Sequence, residues 1–421
     1  MNRLLARLVL ILFSLLLALG LSEAALRLLP LPDLRVLSLG QAPPASAWKD
    51  PAWGDPPDRA FQRQRTIGHE HRPDVDLSVP LIEHEGGAFH FQTNNLGLRR
   101  SAPTPTDKPA GITRVLVLGD SQTDGYVDNP ESFSSLLETS LRAEGRAAEV
   151  LNGGVAGYSP AQEYLWYDVH GAELQPDLVV VGFYPGNDVL DLLDPAKPNV
   201  DPASGRAIRP REEEVGGGDG PLDSLRLGLL ARYAIQVGPL AGLWRQLGLP
   251  GRLEGAGGYS TDTLTQVFRL CHGCYLQSLQ QAVRARRDPA AMRDTLTRAS
   301  AILARLDRDV RDHSGRLAVV ILPTRAQVEP DLARPTQQQV AGLLGLGPAD
   351  LAYEDEVTRT VGEQLAAAGV PTLPLRDPLR EAAGPEPLYY SRDWHLNARG
   401  HRAAAAALGQ GLAALGLLPA R

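Results

Sequence analysis

Four short stretches carry the residue types that acyl-transfer chemistry requires. "GDS" ends in Ser121, "NGGVAG" runs from Asn152 to Gly157, "PGND" contains Asn187, and "SRDWHLN" contains Asp393 and His395. A serine hydroxyl is a poor nucleophile and needs a base within hydrogen-bond reach. His395 can take its proton, and Asp393 can hold the imidazole tautomer and stabilise the imidazolium. A tetrahedral intermediate needs fixed donors where its oxyanion forms. The backbone N–H groups of Ser121 and Gly157 and the side-chain amide of Asn187 would serve, and losing one such donor typically costs about 10²–10³ in turnover. Taken singly, each residue has a plainer reading. Ser121 would cap a helix, Asn187 and Asp188 would be turn residues, and Asp393 and His395 would sit in a loop before a cap at Asn397. Taken together, at four strand ends, the plainer readings are improbable.

Competing chemistries fit worse. The elbow G-x-S-x-G is absent, as is the phosphate loop G-x-x-x-x-G-K-[ST]. A strand-end aspartate nucleophile wants a second carboxylate two residues on, where Gln122 stands. Asp124 and Asp128 read as turn and surface residues rather than metal ligands. No metal and no cofactor are expected.

The elements that must position these residues are legible as alternating strands and helices. Val115–Leu118 is a continuous apolar strand, followed by an amphipathic helix over Phe133–Arg142. Glu149–Leu151 is a second strand, and "SPAQEYLWYDVH" a helix with Ser159 as N-cap and Pro160 at its first position. "PDLVVVGFY" is a third buried strand. Runs such as "VLVL" and "LVVV" lack polar alternation, as strands covered on both faces do. Downstream, Asp288 caps a helix with Met292, Leu296, Ala299, Leu303, Leu306 and Val310 along one face. "RLAVVILP" is a fourth strand, "EDEVTRTVGEQLAAAG" a helix closed by Gly369, "PTLPL" a fifth strand, and "ARGHRAAAAALGQGLAAL" a terminal helix. This alternation predicts an α/β fold with a parallel sheet between helical layers. Ligands in such sheets bind at the carboxyl ends of the strands, where Ser121, Gly157, Asn187 and His395 fall.

The remainder divides by composition. Arg3 and Arg7 precede an uncharged run, Leu8 to Ser22, and positive charges before an apolar run place the rest of the chain outside the cytoplasm. Residues 1–29 read as an uncleaved membrane anchor, with a cleaved signal peptide at Ser22-Glu23-Ala24 as the alternative. Residues 30–110 form a linker and a small N-terminal extension, with Pro30 to Arg72 carrying little regular structure. Within it "GHEHRPDVDLSVP" and "GAFHFQTNNLGLRR" are extended segments, and His69 and His71 would share a strand face as a solvated or hydrogen-bonded pair. Residues 111–190 and 289–421 are two halves of a core, separated by an insertion, 191–288, read either as packing helices or as a lid or membrane-lying element over the active site. Cys271 and Cys274, the two cysteines of the chain, read as a structural disulfide outside the cytoplasm. The net charge of −7 argues against a nucleic-acid partner. Lysine occurs only at Lys49, Lys108 and Lys197.

"GDSQTDG", "NGGVAG", "GND" and "DWH" resemble the Ser, Gly, Asn and His blocks of the SGNH/GDSL hydrolase family, and "TNNLGLRR" resembles a segment of its membrane-anchored members. The resemblance covers residues 93–190 and 316–417. It implies a three-layer α/β/α sandwich with a five-stranded flavodoxin-like sheet and a metal-free serine mechanism. Ser121 would then be nucleophile, His395 base with Asp393, and Ser121, Gly157 and Asn187 the oxyanion hole. Two departures stand out. The family's acid precedes its histidine by three residues, whereas Asp393 precedes His395 by two and Arg392 takes the usual place. Either Asp393 acts with altered loop geometry, or a backbone carbonyl orients the imidazole. The third block usually reads G-x-N-D, whereas here Gly186 directly precedes Asn187 and Pro185 takes the first place. The implied function is an extracytoplasmic serine esterase acting on an ester-bearing small molecule, lipid or acylated glycan. The alternative is an O-acyltransferase that uses the same site on a cell-surface polysaccharide.

Overall fold

The strand and helix signals resolve into a five-stranded parallel sheet between two helical layers in the computed structural model, which describes residues 58–209, 270 and 274–418. Two antiparallel hairpins come first, β1 (Phe61–Gln64) with β2 (Gly68–His71) and β3 (Asp76–Pro80) with β4 (Ala88–Gln92). β5 (Thr113–Gly119), β6 (Ala148–Asn152) and β7 (Leu178–Phe183) follow. A short hairpin of β8 (Asn199–Val200) and β9 (Ala207–Ile208) comes next, then β10 (Arg316–Ile321) and β11 (Thr372–Pro374). The sheet order is β11-β10-β7-β5-β6, every neighbour parallel. In chain order this is the flavodoxin-like 2-1-3-4-5 arrangement, whose switch point lies between the first and third strands. Those strands are β5 and β7, which lead into Ser121 and Asn187.

Alternate side chains explain why the strand sequences do not alternate in polarity. Leu116 and Leu118 of β5 join Leu151, Val179, Val181 and Ile321 on one face. There they meet the helices Pro160–Trp166, Pro289–Asp312 and Tyr353–Ala367. Val115 and Val117 join Val150, Val180 and Val320 on the other, against Phe133–Ala143, Arg376–Ala382 and Ala398–Ala414. Burying each such side chain is worth ~1.5–3 kcal/mol, so both layers are needed to hold the sheet.

The predicted apolar stripe of the Pro289–Asp312 helix is buried along its length, and Asp288 accepts from the Ala291 N–H at 3.0 Å as its cap. Ser159 occupies the predicted N-cap position, but its side chain makes no capping hydrogen bond; Pro160, whose φ is fixed and whose missing N–H costs nothing there, starts that helix. β1 lies in the stretch read as linker. Four paired positions with β2 order it despite its polar sequence. The apolar run at the N-terminus, the central part of the insertion with its possible lid, and Cys271 with its predicted disulfide lie outside the described residues. Among the described residues no helix is long and apolar enough to cross a membrane.

Candidate active site

β5 ends at Gly119 with φ +157°, where a Cβ would stand 2.1 Å from Thr123 Oγ1. Only glycine lets the chain leave the strand there. Asp120 caps the short helix Ser121–Asp124, accepting from the Gln122 N–H at 2.9 Å. Ser121 therefore stands at the carboxyl edge of the sheet, beside the switch point.

The loop that returns to meet it comes from the far end of the chain. His395 Nε2 lies 2.8 Å from Ser121 Oγ, and His395 Nδ1 lies 2.5 Å from Asp393 Oδ2. All three residues are buried. The two-residue spacing is met by the backbone of Trp394, whose φ of +67° lies in the left-handed region. That conformation costs a residue with a Cβ about 1–3 kcal/mol and persists only where the surroundings impose it. Here they do. Trp394 is buried, its indole N–H donates to the Ser391 carbonyl at 3.1 Å, and the Arg325 guanidinium lies 5.5 Å over its ring. Of the two orienters left open by the sequence, the carboxylate is the one in place.

Gln122, noted in sequence only for not being a carboxylate, joins the two halves of the site. Its Nε2 donates to the Trp394 carbonyl at 3.3 Å and its Oε1 accepts from the Leu396 N–H at 3.1 Å. The residue beside Ser121 thus grips the backbone on both sides of His395. Tyr126 stacks on the imidazole, ring centroids 4.0 Å apart and 26° from parallel.

The segment carrying Tyr126 is held by the "TNNLGLRR" stretch. Arg99, fully buried, donates to the Asp124, Gly125 and Val127 carbonyls at 3.0, 2.9 and 3.0 Å and to Asp124 Oδ1 at 2.7 Å. The Tyr390 hydroxyl donates to the intervening Tyr126 carbonyl at 2.9 Å. Asp124 is consequently not a surface or turn residue but a buried ion-pair partner. Burial alone would raise its carboxyl, and His71 (Nε2 3.2 Å from Asp124 Oδ2) and Arg99 hold it below the ordinary range instead. His69 and His71 point inward as well. His69 Nε2 lies 3.0 Å from the Ala156 carbonyl, and burial lowers its imidazole from 6.5 to about 4. The signal for these roles was a polar, short-strand sequence that reads as solvated. Glu83, between β3 and β4, accepts from the Ser391 and Arg392 N–H groups at 2.8 and 3.1 Å and so fixes the start of the histidine loop.

Asn187 and Gly157 sit at the ends of the neighbouring strands' loops. Asn187 is fully buried and donates through Nδ2 to Asp191 Oδ2 at 2.9 Å. Gly157 takes φ +78° in the loop that enters the Pro160–Trp166 helix. Behind them lies a group of buried carboxyls. Burial raises Asp120 to about 6, opposed by the Gln122 N–H, His395 and Asn187. Glu163 and Asp188 are pushed well above the usual carboxylate range, by burial first and then by the charges of Asp120 and Asp191 and, for Asp188, of Glu163. Among the described residues no cluster of three or more His, Cys, Asp or Glu side chains is arranged to hold a metal ion.

A deep-lying serine at a strand end, hydrogen-bonded to a histidine that is itself bonded to an aspartate, is the equipment of a serine hydrolase. The GDSL-like lipase/acylhydrolase family model matches residues 117–403, more than half of the chain, and the chain belongs to that family as an ester-hydrolysing enzyme. No curated protein matches its sequence. Similar solved structures include Axe2, an acetylxylan esterase from Geobacillus stearothermophilus, at 11% identity with a TM-score of 0.35, covering 71% of this chain and 94% of that one. TesA is similar at 13% identity and a TM-score of 0.35, with 72% and 99% covered. The psychrotrophic esterase EstA from Pseudoalteromonas sp. is similar at 11% identity and 0.35, with 72% and 98% covered.

Proposed function

We propose that the enzyme is an extracytoplasmic serine esterase working through an acyl-enzyme. The observation that carries this reading is the unbroken line Ser121 Oγ, His395 Nε2, His395 Nδ1, Asp393 Oδ2, at 2.8 and 2.5 Å. His395 takes the Ser121 proton as the hydroxyl oxygen attacks the ester carbonyl. The C–O bond of the ester breaks as His395 returns that proton to the leaving alcohol. Water, activated by the same imidazole, then attacks the acyl-serine, releases the carboxylic acid and restores Ser121. Asp393 holds Nδ1–H toward itself and favours the imidazolium formed in each half-reaction. The N–H groups of Ser121 and Gly157 and the Asn187 amide carry the oxyanion. Arg3 and Arg7, ahead of the apolar run Leu8–Ser22, support a location outside the cytoplasm with residues 1–29 as anchor.

Ser121→Ala is expected to abolish labelling by a fluorophosphonate and to lower hydrolysis of an aryl acetate by at least about 10⁴-fold. Persistent labelling of that variant would remove Ser121 from the nucleophile's role. Hydrolysis by the wild type at the same rate with and without glycan acceptors supports an esterase. Turnover that appears only when an acceptor is added would reassign the enzyme as an acyltransferase.

A further inference from the structure

Lys197, one of three lysines in the chain, makes two contacts that the acyl-enzyme reaction leaves unused. Its Nζ donates to the Gly157 carbonyl at 2.7 Å and to Asp191 Oδ1 at 2.6 Å. The second oxygen of the same carboxylate, Asp191 Oδ2, accepts from Asn187 Nδ2 at 2.9 Å. One ammonium and one carboxylate thus tie the Gly157 turn to the Asn187 side chain. Asp191 is 6% exposed and Asn187 0%, so water does not substitute for either partner. From the other side the buried Gln281 side chain accepts from the Leu190 N–H at 3.1 Å and donates to the Pro185 carbonyl at 2.6 Å. The loop that carries Asn187 is thereby held at both ends.

The chemistry of an amide makes this arrangement directional. Asn carries two N–H donors on Nδ2 and only acceptor capacity on Oδ1. An ionised carboxylate accepts and never donates, so Asp191 selects Nδ2 and fixes the amide plane. One hydrogen is committed to Asp191, and the amide also lowers the Asp120 carboxyl by hydrogen bonding, so the oxyanion would share the remaining donor with Asp120. A neutral Asp191 could equally donate to Oδ1. The amide would then turn its oxygen toward the developing negative charge. Burial raises the Asp191 carboxyl and Lys197 is the main opposing influence. With its Nζ 2.6 Å from Asp191 Oδ1, the lysine favours the ionised, accepting state of Asp191. It also cancels a buried negative charge that would otherwise oppose an oxyanion nearby.

We propose that Lys197, acting through Asp191, is a positioning residue for the oxyanion hole, setting the orientation of the Asn187 amide and its register with Gly157. This rests on the reading of Asn187 and Gly157 as oxyanion donors. The test is a double-mutant cycle on aryl acetate hydrolysis with Lys197→Met, Asn187→Ala and the pair. Lys197→Met is expected to lower kcat by about 10²-fold, within the range for loss of an oxyanion donor, with KM changed less than about threefold. In the Asn187→Ala background the same substitution should cost almost nothing, because the amide it orients is gone. An equal loss in both backgrounds would overturn the proposal and leave Lys197 a general structural support. Asp191→Asn, which keeps the side-chain shape, gives a second route. It should lower kcat in the wild type but not beside Asn187→Ala, and full activity in the single variant would overturn the proposal. Asn187→Ala with wild-type kcat would instead overturn the assignment of the donor itself, while phosphonate labelling of Ser121 continued to support the nucleophile.

Discussion

The two edges of the central sheet are built on opposite principles. At the amino edge, Arg114, the second residue of β5, is fully buried, and each of its guanidinium nitrogens is hydrogen-bonded. It donates to Glu149 Oε1 at 2.7 Å and to the Thr106, Leu174 and Pro105 carbonyls at 2.8, 2.7 and 2.9 Å. Asp177 accepts there from the Arg114 N–H and from Lys108. At the carboxyl edge of the same sheet, polar atoms are left over. Both Glu163 oxygens, Asp188 Oδ1 and Asn187 Oδ1 are buried without a hydrogen-bond partner among the described residues. Unmet polar groups cost stability, and a fold tolerates them where chemistry uses the site. One edge is finished; the other is left poised.

That contrast can be broken most severely at the reactive end. Asp393→Asn should leave the fold intact and cut kcat by about 10⁴-fold, because an amide at Nδ1 permits the wrong tautomer. Steady-state kinetics alongside a thermal melt check both halves of the expectation, and a loss under about tenfold would mean Asp393 is a structural neighbour. The converse substitution belongs to the other edge. Arg114→Met breaks a buried pair and leaves Glu149 uncompensated, at a cost of about 3–5 kcal/mol. Urea unfolding should show that loss while kcat of the folded protein stays unchanged.

The smallest effect sharpens the comparison through pH. Glu163 has its carboxyl pushed well up by burial. A carboxyl raised in the folded state supports the fold below its unfolded value, and that support is lost as pH rises through the folded value. Glu163→Gln removes a charge that the fold cannot solvate. The variant and wild type should melt together near pH 4, and the variant should gain on the wild type progressively toward pH 8. A difference independent of pH would show that Glu163 is not the titrating group.

The strands, the three-layer architecture and the Ser121, Asp393 and His395 set were legible because each rests on a local pattern. Uninterrupted apolar runs give doubly covered strands, and strand ends locate the site. What escaped depends on contacts between distant segments. Nothing local distinguishes Gln122 from a surface glutamine, yet its partners lie 272 and 274 residues away. Asp124 reads as a turn aspartate until Arg99 arrives beneath it. Trp394 in a left-handed conformation contradicts its own preference, so the D-x-H spacing could not be resolved without the loop around it.

Glu83, Arg99 and His71 carry a consequence for the extent of the catalytic unit. The family match starts at residue 117, inside β5. Glu83, which fixes the histidine loop's first residues, and Arg99, which holds the turn under Tyr126, both lie before it. Ser121 and His395 stand 274 positions apart in the chain, and Glu83 in the second hairpin and Arg99 just after it hold the segments that flank their meeting. Part of the scaffolding that sets the histidine loop and the turn under Tyr126 is therefore written outside the segment by which the family is recognised.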